Sequence, residues 1–373
     1  MKVIINKNKL LESLKLCNSI SENINTTPVF LGTLIEVKEN FISLTSSNGL
    51  ISIKSKIEKS ENCNILSNGN VLVKTKTLFS MISKFKNENI ILEKIDNSVL
   101  KIKTETFDSN INIMDDEQYP DINFAYKDWK EITIPAIVFK KTILKVKQAV
   151  NNNKEKPNIM SGICFISNKK DSVLEVIGTD SYKLAYLKFN SKLEDFKIVI
   201  DVSLIELFLE LLNVNTIVNL YLSNNNIIFK INDVIISSKI IEGEFPSINR
   251  IISIPKENKI IVSKKAILEA LDRGMILSSS EKKSITRLGF SPNKLEIAFN
   301  SIELGNSKEI IKIDSTELKK PEFILVNTNF LISILKVFEN DEICIEFQDS
   351  LKPISFTDPK EQNFLELLVP VKG

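Results

Sequence analysis

One pattern occurs three times along the chain. Residues 3–14, 132–143 and 260–271 each pass from a short run rich in β-branched residues into a run with helical spacing of apolar residues. A second unit of the same kind occupies residues 70–82, 197–209 and 322–334. Self-similarity at a fixed period means that each unit packs against its neighbours. The sequence therefore predicts six copies of one strand-then-helix module, grouped into three similar thirds.

The repeated helices are predicted to have two different faces. In the third module Phe139, Ile143 and Val146 recur at helical spacing, which places them on one apolar stripe. We expect this stripe to pack on the core and the lysines beside it to face outwards. Corresponding stripes contain Leu10, Leu14 and Cys17 in the first module, Val150 at the end of the third, and Ile267 and Leu271 in the fifth.

The segments between the modules have the alternation of β-hairpins. Residues 41–57 and 218–240 alternate apolar and polar side chains around Asn-rich turns. Two links share an aromatic–proline pair, Tyr119-Pro120 and Phe245-Pro246, which we interpret as strands leaving one domain for a connector. We predict an α+β protein of three repeated domains, 1–127, 128–255 and 256–373, each with two helices and antiparallel sheets.

Charge and apolar patterning exclude several classes of protein. The chain has 49 basic and 47 acidic residues, so any contact with nucleic acid has to come from local segregation of charge. It contains neither the apolar region of a signal peptide nor a membrane-spanning segment, and we expect a cytoplasmic location. The four cysteines lack CxxC spacing and are predicted to be small buried hydrophobic residues.

Most catalytic chemistry is difficult to place in this sequence. Histidine is absent, which removes the common nucleophile–base arrangements, and neither phosphate-binding glycine motif occurs. Asp115, Asp116 and Glu117 could hold Mg²⁺ in a metal-dependent nuclease, but adjacent carboxylates point in different directions, which favours a solvated loop. We therefore expect no catalytic residues, no metal and no cofactor.

Several motifs together resemble one family over the whole chain. They are MKVIINKNKLLESL at the start, TTPVFLGTLIEV, the two links YPDI and FPSINRII, GTDSYKLA at residues 178–185, and LLVPVKG at the end. The chain is similar to the bacterial DNA polymerase III beta subunits, the replicative sliding clamps. The resemblance implies three copies of one clamp domain per chain and two chains closed head to tail into a dimeric ring that encircles duplex DNA.

A ring of this kind retains DNA by enclosing it, so its contacts with phosphates can be few, weak and independent of sequence. The resemblance implies that lysines on the helices face the DNA and that the ring tethers a polymerase for processivity. The candidate DNA-facing residues are Lys7, Lys9, Lys15, Lys76, Lys84, Lys140, Lys141, Lys145, Lys147, Lys264, Lys265, Arg273 and Lys336.

The resemblance also implies a pocket for short Gln-x-x-Leu-x-Phe-like peptides of the replicative polymerase, the clamp loader and repair proteins. The family usually has a glycine after the Thr-Asp pair, where this chain has Ser181. The terminal apolar run is alternatively only a core strand. The candidate pocket residues are Met160, Thr179, Ser181, Tyr182, Lys183, Leu184, Pro246, Arg250, Ile251, Pro353, Leu367, Leu368, Val369, Pro370 and Val371.

The implied dimer interface places Ile276 and Leu277 of one chain against Met81 and Phe85 of the other. Two alternatives remain at this point. One is a monomeric repeat scaffold that binds proteins without closing on DNA, and the other is the metal-dependent nuclease.

Overall fold

Each of the six predicted modules forms a strand that ends where a helix begins. The computed structural model describes residues 1–21, 27–151, 158–209, 211–212, 217–278, 284–313 and 315–372. A seventh, four-residue helix lies in the second link. The helices are α1 (Lys7–Ser21), α2 (Thr75–Lys84), α3 (Ala136–Val146), α4 (Val202–Leu209), α5 (Asn249–Ile252), α6 (Lys264–Met275) and α7 (Thr328–Leu335).

Polar residues at the ends of the strands explain where four of these helices begin. The side chains of Asn6, Asp201, Ser263 and Asn327 each accept a hydrogen bond from a backbone amide two or three residues later, at 2.8–3.1 Å. The first amides of a helix have no partner within it, and such caps satisfy them. Local hydrogen bonding therefore explains why the strand gives way to a helix in these four modules.

The strands lie before, between and after these helices along the chain. The first ten are β1 (Lys2–Asn6), β2 (Gly32–Val37), β3 (Phe41–Ser47), β4 (Ile51–Glu58), β5 (Cys63–Ser67), β6 (Gly69–Lys74), β7 (Asn89–Lys94), β8 (Val99–Lys103), β9 (Asp108–Asn112) and β10 (Lys130–Pro135). The next seven are β11 (Gly162–Asn168), β12 (Val173–Thr179), β13 (Lys183–Asn190), β14 (Phe196–Asp201), β15 (Ile217–Leu222), β16 (Asn226–Ile231) and β17 (Val234–Lys239). The last nine are β18 (Asn258–Ser263), β19 (Ile285–Ser291), β20 (Lys294–Ser301), β21 (Gly305–Lys312), β22 (Ser315–Glu317), β23 (Glu322–Asn327), β24 (Glu342–Phe347), β25 (Ile354–Asp358) and β26 (Glu361–Leu368).

The first of two compact units contains residues 1–139 and 204–240. Its five-stranded sheet has the order β5-β1-β7-β8-β9, and its eight-stranded sheet the order β10-β15-β16-β17-β4-β3-β2-β6. Both predicted hairpin segments are confirmed as β3–β4 and β15–β16–β17. Strands from the first and second thirds share one sheet because β17 pairs with β4, with Ile236 opposite Ile53.

The second unit contains residues 140–203 and 241–373. Its nine-stranded sheet has the order β14-β11-β12-β13-β26-β25-β24-β18-β22, and its four-stranded sheet the order β21-β20-β19-β23. All pairings in both sheets are antiparallel. Strands of the second and third thirds share the larger sheet because β13 pairs with β26.

The apolar stripes of the helices pack on the cores, as predicted. Phe139, Ile143 and Val146 are buried, and the rings of Phe139 and Phe208 meet edge to face with their centroids 5.6 Å apart, which brings α3 against α4. The helices α1 and α2 also pack together, as do α6 and α7. The other predicted stripe residues are buried as well: Leu10, Leu14, Cys17, Val150, Ile267 and Leu271.

Buried hydroxyl pairs recur in the first and last thirds. The Thr33 hydroxyl lies 2.8 Å from that of Thr75 at the start of α2, and the Thr286 hydroxyl lies 2.8 Å from that of Thr328 at the start of α7. All four side chains are fully buried. Because an unpaired buried hydroxyl is costly, each pair fixes the first turn of its helix to a strand. The sequence analysis did not identify these pairs.

The two aromatic–proline links differ from the prediction, because neither contains a strand. Tyr119 and Phe245 are instead buried on irregular backbone. The Tyr119 hydroxyl donates to the carbonyl of Thr45 at 3.4 Å. Proline lacks the amide that a strand needs for its ladder, so the burial of the aromatic ring holds each link in place.

The cysteines are core residues, and the acidic residues 115 and 116 have partners of their own. All four cysteines are buried, and burial raises the pKa of the Cys17 thiol to about 11. Asp115 accepts the amide of Glu117 at 3.1 Å, and Asp116 lies 3.6 Å from the ammonium of Lys94. Within the described ranges no group of His, Cys, Asp and Glu has the arrangement of a metal site, and no helix could span a membrane.

Candidate functional site

A tight turn between β12 and β13 contains several candidate pocket residues. The Asp180 carboxylate accepts the amides of Tyr182 and Lys183 at 2.9 and 2.7 Å, and the Thr179 hydroxyl donates to the Lys183 carbonyl at 2.7 Å. Ser181 has a φ of 76°, in the left-handed region that favours glycine. These bonds hold Ser181 in that conformation and leave the Tyr182 side chain 61% exposed.

The C-terminal segment follows this turn closely. Within β26, Leu367 lies opposite Leu184 of β13, and both are buried. Beyond the strand, the Val369 amide donates to the Tyr182 carbonyl at 2.9 Å and the Val371 amide to the Leu325 carbonyl at 2.7 Å. Val369 remains 40% exposed. The terminal apolar run therefore divides into a buried strand and an accessible tail.

The second link forms the neighbouring part of the site. Phe245 and Ile248 are buried in one cluster with Leu184 and Leu367. Pro246, between them, is exposed. Arg250 and Ile251, on the short helix α5, are exposed too. Because buried and exposed residues alternate here, the link is anchored through one set of side chains and presents the other to solvent.

Some of the candidate pocket residues contact one another in the structure. The Ser181 hydroxyl lies 3.1 Å from the Met160 sulfur, and Pro353 precedes Ile354, which pairs with Leu368. By exposure the candidates fall into a buried group (Thr179, Lys183, Leu184, Leu367, Leu368), a half-buried group (Met160, Pro353, Pro370, Val371) and an exposed group (Ser181, Tyr182, Pro246, Arg250, Ile251, Val369).

Phe330 belongs to this region, although the sequence analysis missed it. Its ring centroid lies 6.1 Å from that of Tyr182 and 4.9 Å from the ammonium of Lys183. Phe330 lies in the first turn of α7, far from β13 in the sequence. Only its aromatic character at an amphipathic helix start could have identified it.

A buried polar cluster lies behind the turn. The Lys183 ammonium donates to the backbone carbonyl of Gln148 and lies 3.6 Å from the Asp180 carboxylate. The Gln148 side-chain amide donates to one oxygen of Glu366 at 2.5 Å. The other Glu366 oxygen is buried without a partner among the described residues. Burial raises the pKa of the Glu366 carboxyl well above its ordinary value, while the bond from Gln148 and the charge of Lys183 oppose the rise.

An apolar cleft surrounds the first half of the expected dimer interface. Met81 and Phe85 line an open cleft of about 610 Å³. Phe107, which the sequence analysis did not name, completes it with its ring centroid 5.0 Å from that of Phe85. Of the expected second half, Ile276 is 71% exposed and Leu277 is half-buried. Exposed apolar surface of this kind is typical of an interaction site.

Eleven of the thirteen candidate DNA-facing cations lie on helices, and the other two, Lys147 and Lys336, each lie just after a helix. All thirteen have exposed or half-buried side chains. By position they lie on α1 (Lys7, Lys9, Lys15), α2 (Lys76, Lys84), α3 (Lys140, Lys141, Lys145) and the turn after it (Lys147), on α6 (Lys264, Lys265, Arg273), and just after α7 (Lys336).

Several of these cations already have acidic partners within the chain. Lys145 lies 2.5 Å from Glu361, and Lys141 lies 3.7 Å from Glu339. Arg273 forms a two-point contact with Glu309. The sequence analysis did not identify these ion pairs, because partners this distant in the chain leave no local signal. The local positive charge is thus smaller on α3 and α6 than a count of lysines predicts.

Comparison with known proteins decides the family. Three family models, for the N-terminal, central and C-terminal domains of the DNA polymerase III beta subunit, match residues 1–123, 133–247 and 249–372. The chain belongs to the DNA polymerase III beta subunit family. Its function is that of a DNA sliding clamp, which works on DNA together with a DNA polymerase.

Individual relatives match over the whole length. The beta sliding clamp of Mycoplasma genitalium is 29% identical over 385 residues, covering 99% of this chain and 100% of the relative. That of Bacillus subtilis is 26% identical, with both chains fully covered. The crystal structure of the Bacillus subtilis sliding clamp superposes with a TM-score of 0.93 at 25% identity, covering 100% of this chain and 99% of that one. These matches do not favour the nuclease or the monomeric scaffold.

Proposed function

We propose that two copies of this chain close head to tail into a ring around duplex DNA, with the lysine-bearing helices facing the DNA. The observation that carries the proposal is that α1, α2, α3 and α6 each combine buried apolar residues with exposed or half-buried cations, and that Lys336 follows α7, whereas α4 has no cation. The repeat places such a face in each third of the chain, corresponding to the proposed domains 1–127, 128–255 and 256–373.

In this ring, enclosure and attraction have separate tasks. Topology prevents the clamp from leaving the DNA, so the phosphate contacts need only orient the duplex. Each lysine–phosphate contact is independent of sequence and weakens with salt, which permits sliding. A ring that works by enclosure needs no catalytic group of its own, and we propose that this chain is a processivity factor without enzymatic activity. Work on bacterial chromosomal DNA would place it in the cytoplasm.

The proposed dimer joins unlike surfaces of the two chains. Ile276 and Leu277 of one chain would fill the cleft formed by Met81, Phe85 and Phe107 of the other. Contacts between unlike surfaces give a closed assembly when the rotation between subunits closes. Two such contacts would complete the ring.

We further propose that the turn at residues 179–183, the second link and the C-terminal tail bind peptides of the Gln-x-x-Leu-x-Phe type. The peptides would come from the replicative polymerase, the clamp loader and repair proteins. Exposed Tyr182, Ile251 and Val369 above a buried Leu184–Leu367 pair offer apolar surface for two anchors. Each anchor stabilises binding by about 1.5–3 kcal/mol, less ordering costs, so we expect roughly micromolar affinity.

The DNA-facing assignment is tested with one lysine from each third. The variant Lys9→Ala/Lys140→Ala/Lys336→Ala removes three cations whose side chains are exposed. Binding of a short fluorescent duplex, followed by anisotropy at several salt concentrations, should weaken. The salt slope should fall by about 0.9 for each phosphate that no longer has a lysine partner. The matched control Lys103→Ala/Lys170→Ala/Lys312→Ala removes the same charge from exposed positions on strands and a strand turn.

Equal effects of the two triple variants would show that only net charge matters and would overturn the helix assignment. Cleavage of DNA with Mg²⁺ that disappears in Asp116→Ala would instead favour the nuclease.

A further inference from the structure

The lysine face of α3 meets two acidic side chains, one from the segment after α7 and one from the first residue of β26. Lys145 approaches both carboxylate oxygens of Glu361, at 2.5 Å each, and its ammonium lies 5.0 Å from the centroid of the buried Phe364 ring. The Lys145 side chain is only 13% exposed, against 36% for Glu361. One turn earlier on the helix, Lys141 lies 3.7 Å from Glu339, but both side chains are largely exposed.

The two segments that carry these carboxylates are linked to each other by a hydrogen bond. Asp358, at the turn between β25 and β26, is buried and accepts the side-chain amide of Asn340 at 2.7 Å. The same carboxylate accepts the backbone amide of Lys360 at 2.8 Å. Glu361 follows this turn directly, and Glu339 immediately precedes Asn340. The backbone segments of both acidic residues are therefore linked by a part-buried contact that does not involve the lysines.

The two ion pairs differ in strength. An exposed pair such as Lys141–Glu339 contributes almost nothing, because water and salt screen it. Lys145 is different, since two short charge-assisted contacts and an aromatic face surround an ammonium that is mostly removed from solvent. A DNA phosphate that binds Lys145 has to compete with Glu361 for the charge and the hydrogen-bond donors of the ammonium.

We propose that Glu361 is an internal competitor of DNA for Lys145, which weakens the contact between α3 and the phosphate backbone. This inference rests on the proposed DNA-facing role of α3. A clamp that slides benefits from weak contacts, because a lysine that returns to a fixed carboxylate after each phosphate leaves the duplex free to move. Glu361 would thus lower the affinity of the ring for DNA without contacting the DNA itself.

The test is a double-mutant cycle on DNA binding. Glu361→Gln keeps the size and hydrogen-bonding shape of the side chain but removes its charge. We expect it to tighten binding of a short fluorescent duplex up to about fivefold and to steepen the salt slope by up to about 0.9. When Lys145 is already replaced by Gln, Glu361→Gln should change DNA binding no more than the control variant does, because Glu361 then has no lysine partner to release.

The control is Glu194→Gln, which removes the same charge from an exposed pair with Lys169 at 2.6 Å, away from the helices. Thermal melting and mass measurements on each variant check that the fold and the dimer persist. If Glu361→Gln and Glu194→Gln affect DNA binding equally, or if Glu361→Gln acts equally with and without Lys145, the competition does not exist. If Lys103→Ala/Lys170→Ala/Lys312→Ala weakens DNA binding as much as Lys9→Ala/Lys140→Ala/Lys336→Ala does, the proposed DNA-facing role of the helices is itself wrong.

Discussion

At the scale of single residues, Glu366 shows how the fold changes the chemistry of a side chain. Its carboxyl group is fully buried on β26, where one oxygen accepts from Gln148 and the other has no partner among the described residues. Removing a charge from water is costly, so burial favours the protonated acid. The sequence alone describes the same residue as one more acidic side chain in a terminal strand.

The raised pKa of Glu366 predicts how stability depends on pH. The folded protein holds a proton that the unfolded chain releases near the ordinary pKa, so the stability from this group is present below that pKa. This stabilisation is lost as pH rises from the ordinary pKa to the raised pKa. The free energy of unfolding falls by about 1.4 kcal/mol for each pH unit between the two values.

Glu366→Gln mimics the protonated acid and should remove this loss. We therefore expect the melting temperature of Glu366→Gln minus that of the wild type to increase as pH rises from acid to neutral. Thermal melts of both proteins across this range measure the difference, with the exposed Glu194→Gln as control. A difference that stays constant with pH would show that Glu366 does not titrate in this range.

At the scale of elements, the C-terminal segment combines a buried strand and an accessible tail in consecutive residues. β26 supplies buried Leu367 and Leu368 to the sheet, whereas Val369 and Val371 lie beyond the strand and hydrogen-bond to Tyr182 and Leu325. The strand and the tail can therefore be separated by mutation.

Deletion of residues 369–373 should abolish binding of a Gln-x-x-Leu-x-Phe peptide and leave the ring able to bind DNA. The physical reason is that β26 keeps its pairings with β13 and β25 while the accessible apolar tail is removed. Fluorescence anisotropy of the labelled peptide gives the result. Deletion of Lys372 and Gly373 alone should preserve binding; Gly373 lies outside the described residues. Peptide binding that survives the longer deletion would place the recruitment site elsewhere.

At the scale of the whole molecule, the proposed ring depends on contacts between two chains. Ile276 and Leu277 offer apolar surface just after α6, and the cleft lined by Met81 and Phe85 has room to receive it. A dimer of two 42.3 kDa chains is the assembly that this arrangement predicts.

Leu277→Asp should break the dimer, because it would bury an unpaired carboxylate in an apolar contact at a cost of several kcal/mol. Light scattering should then report the mass of a single chain. The control Leu50→Asp places the same charge at an exposed apolar position in the turn between β3 and β4. An unchanged dimer mass in Leu277→Asp would show that the interface lies elsewhere.

The sequence by itself determined the repeated modules, the hairpins and the buried stripes. Each of these is a local pattern: the apolar residues of α3 recur at helical spacing, and Ser263 or Asn327 caps the next helix from within three residues. Local spacing and local hydrogen bonding act in the same way wherever they occur. Motifs over the whole chain also indicated the family, which the comparisons confirmed.

The tertiary structure alone decided which distant residues meet. Lys145 and Glu361 are 216 residues apart, and the pairing of β17 with β4 joins strands of the first and second thirds in one sheet. Burial within the folded protein raises the pKa of Glu366. No local spacing encodes such contacts, because electrostatic and burial energies depend on distance in space. The repeat specified the parts of the molecule, and long-range packing decided the charge state and the partners of individual side chains.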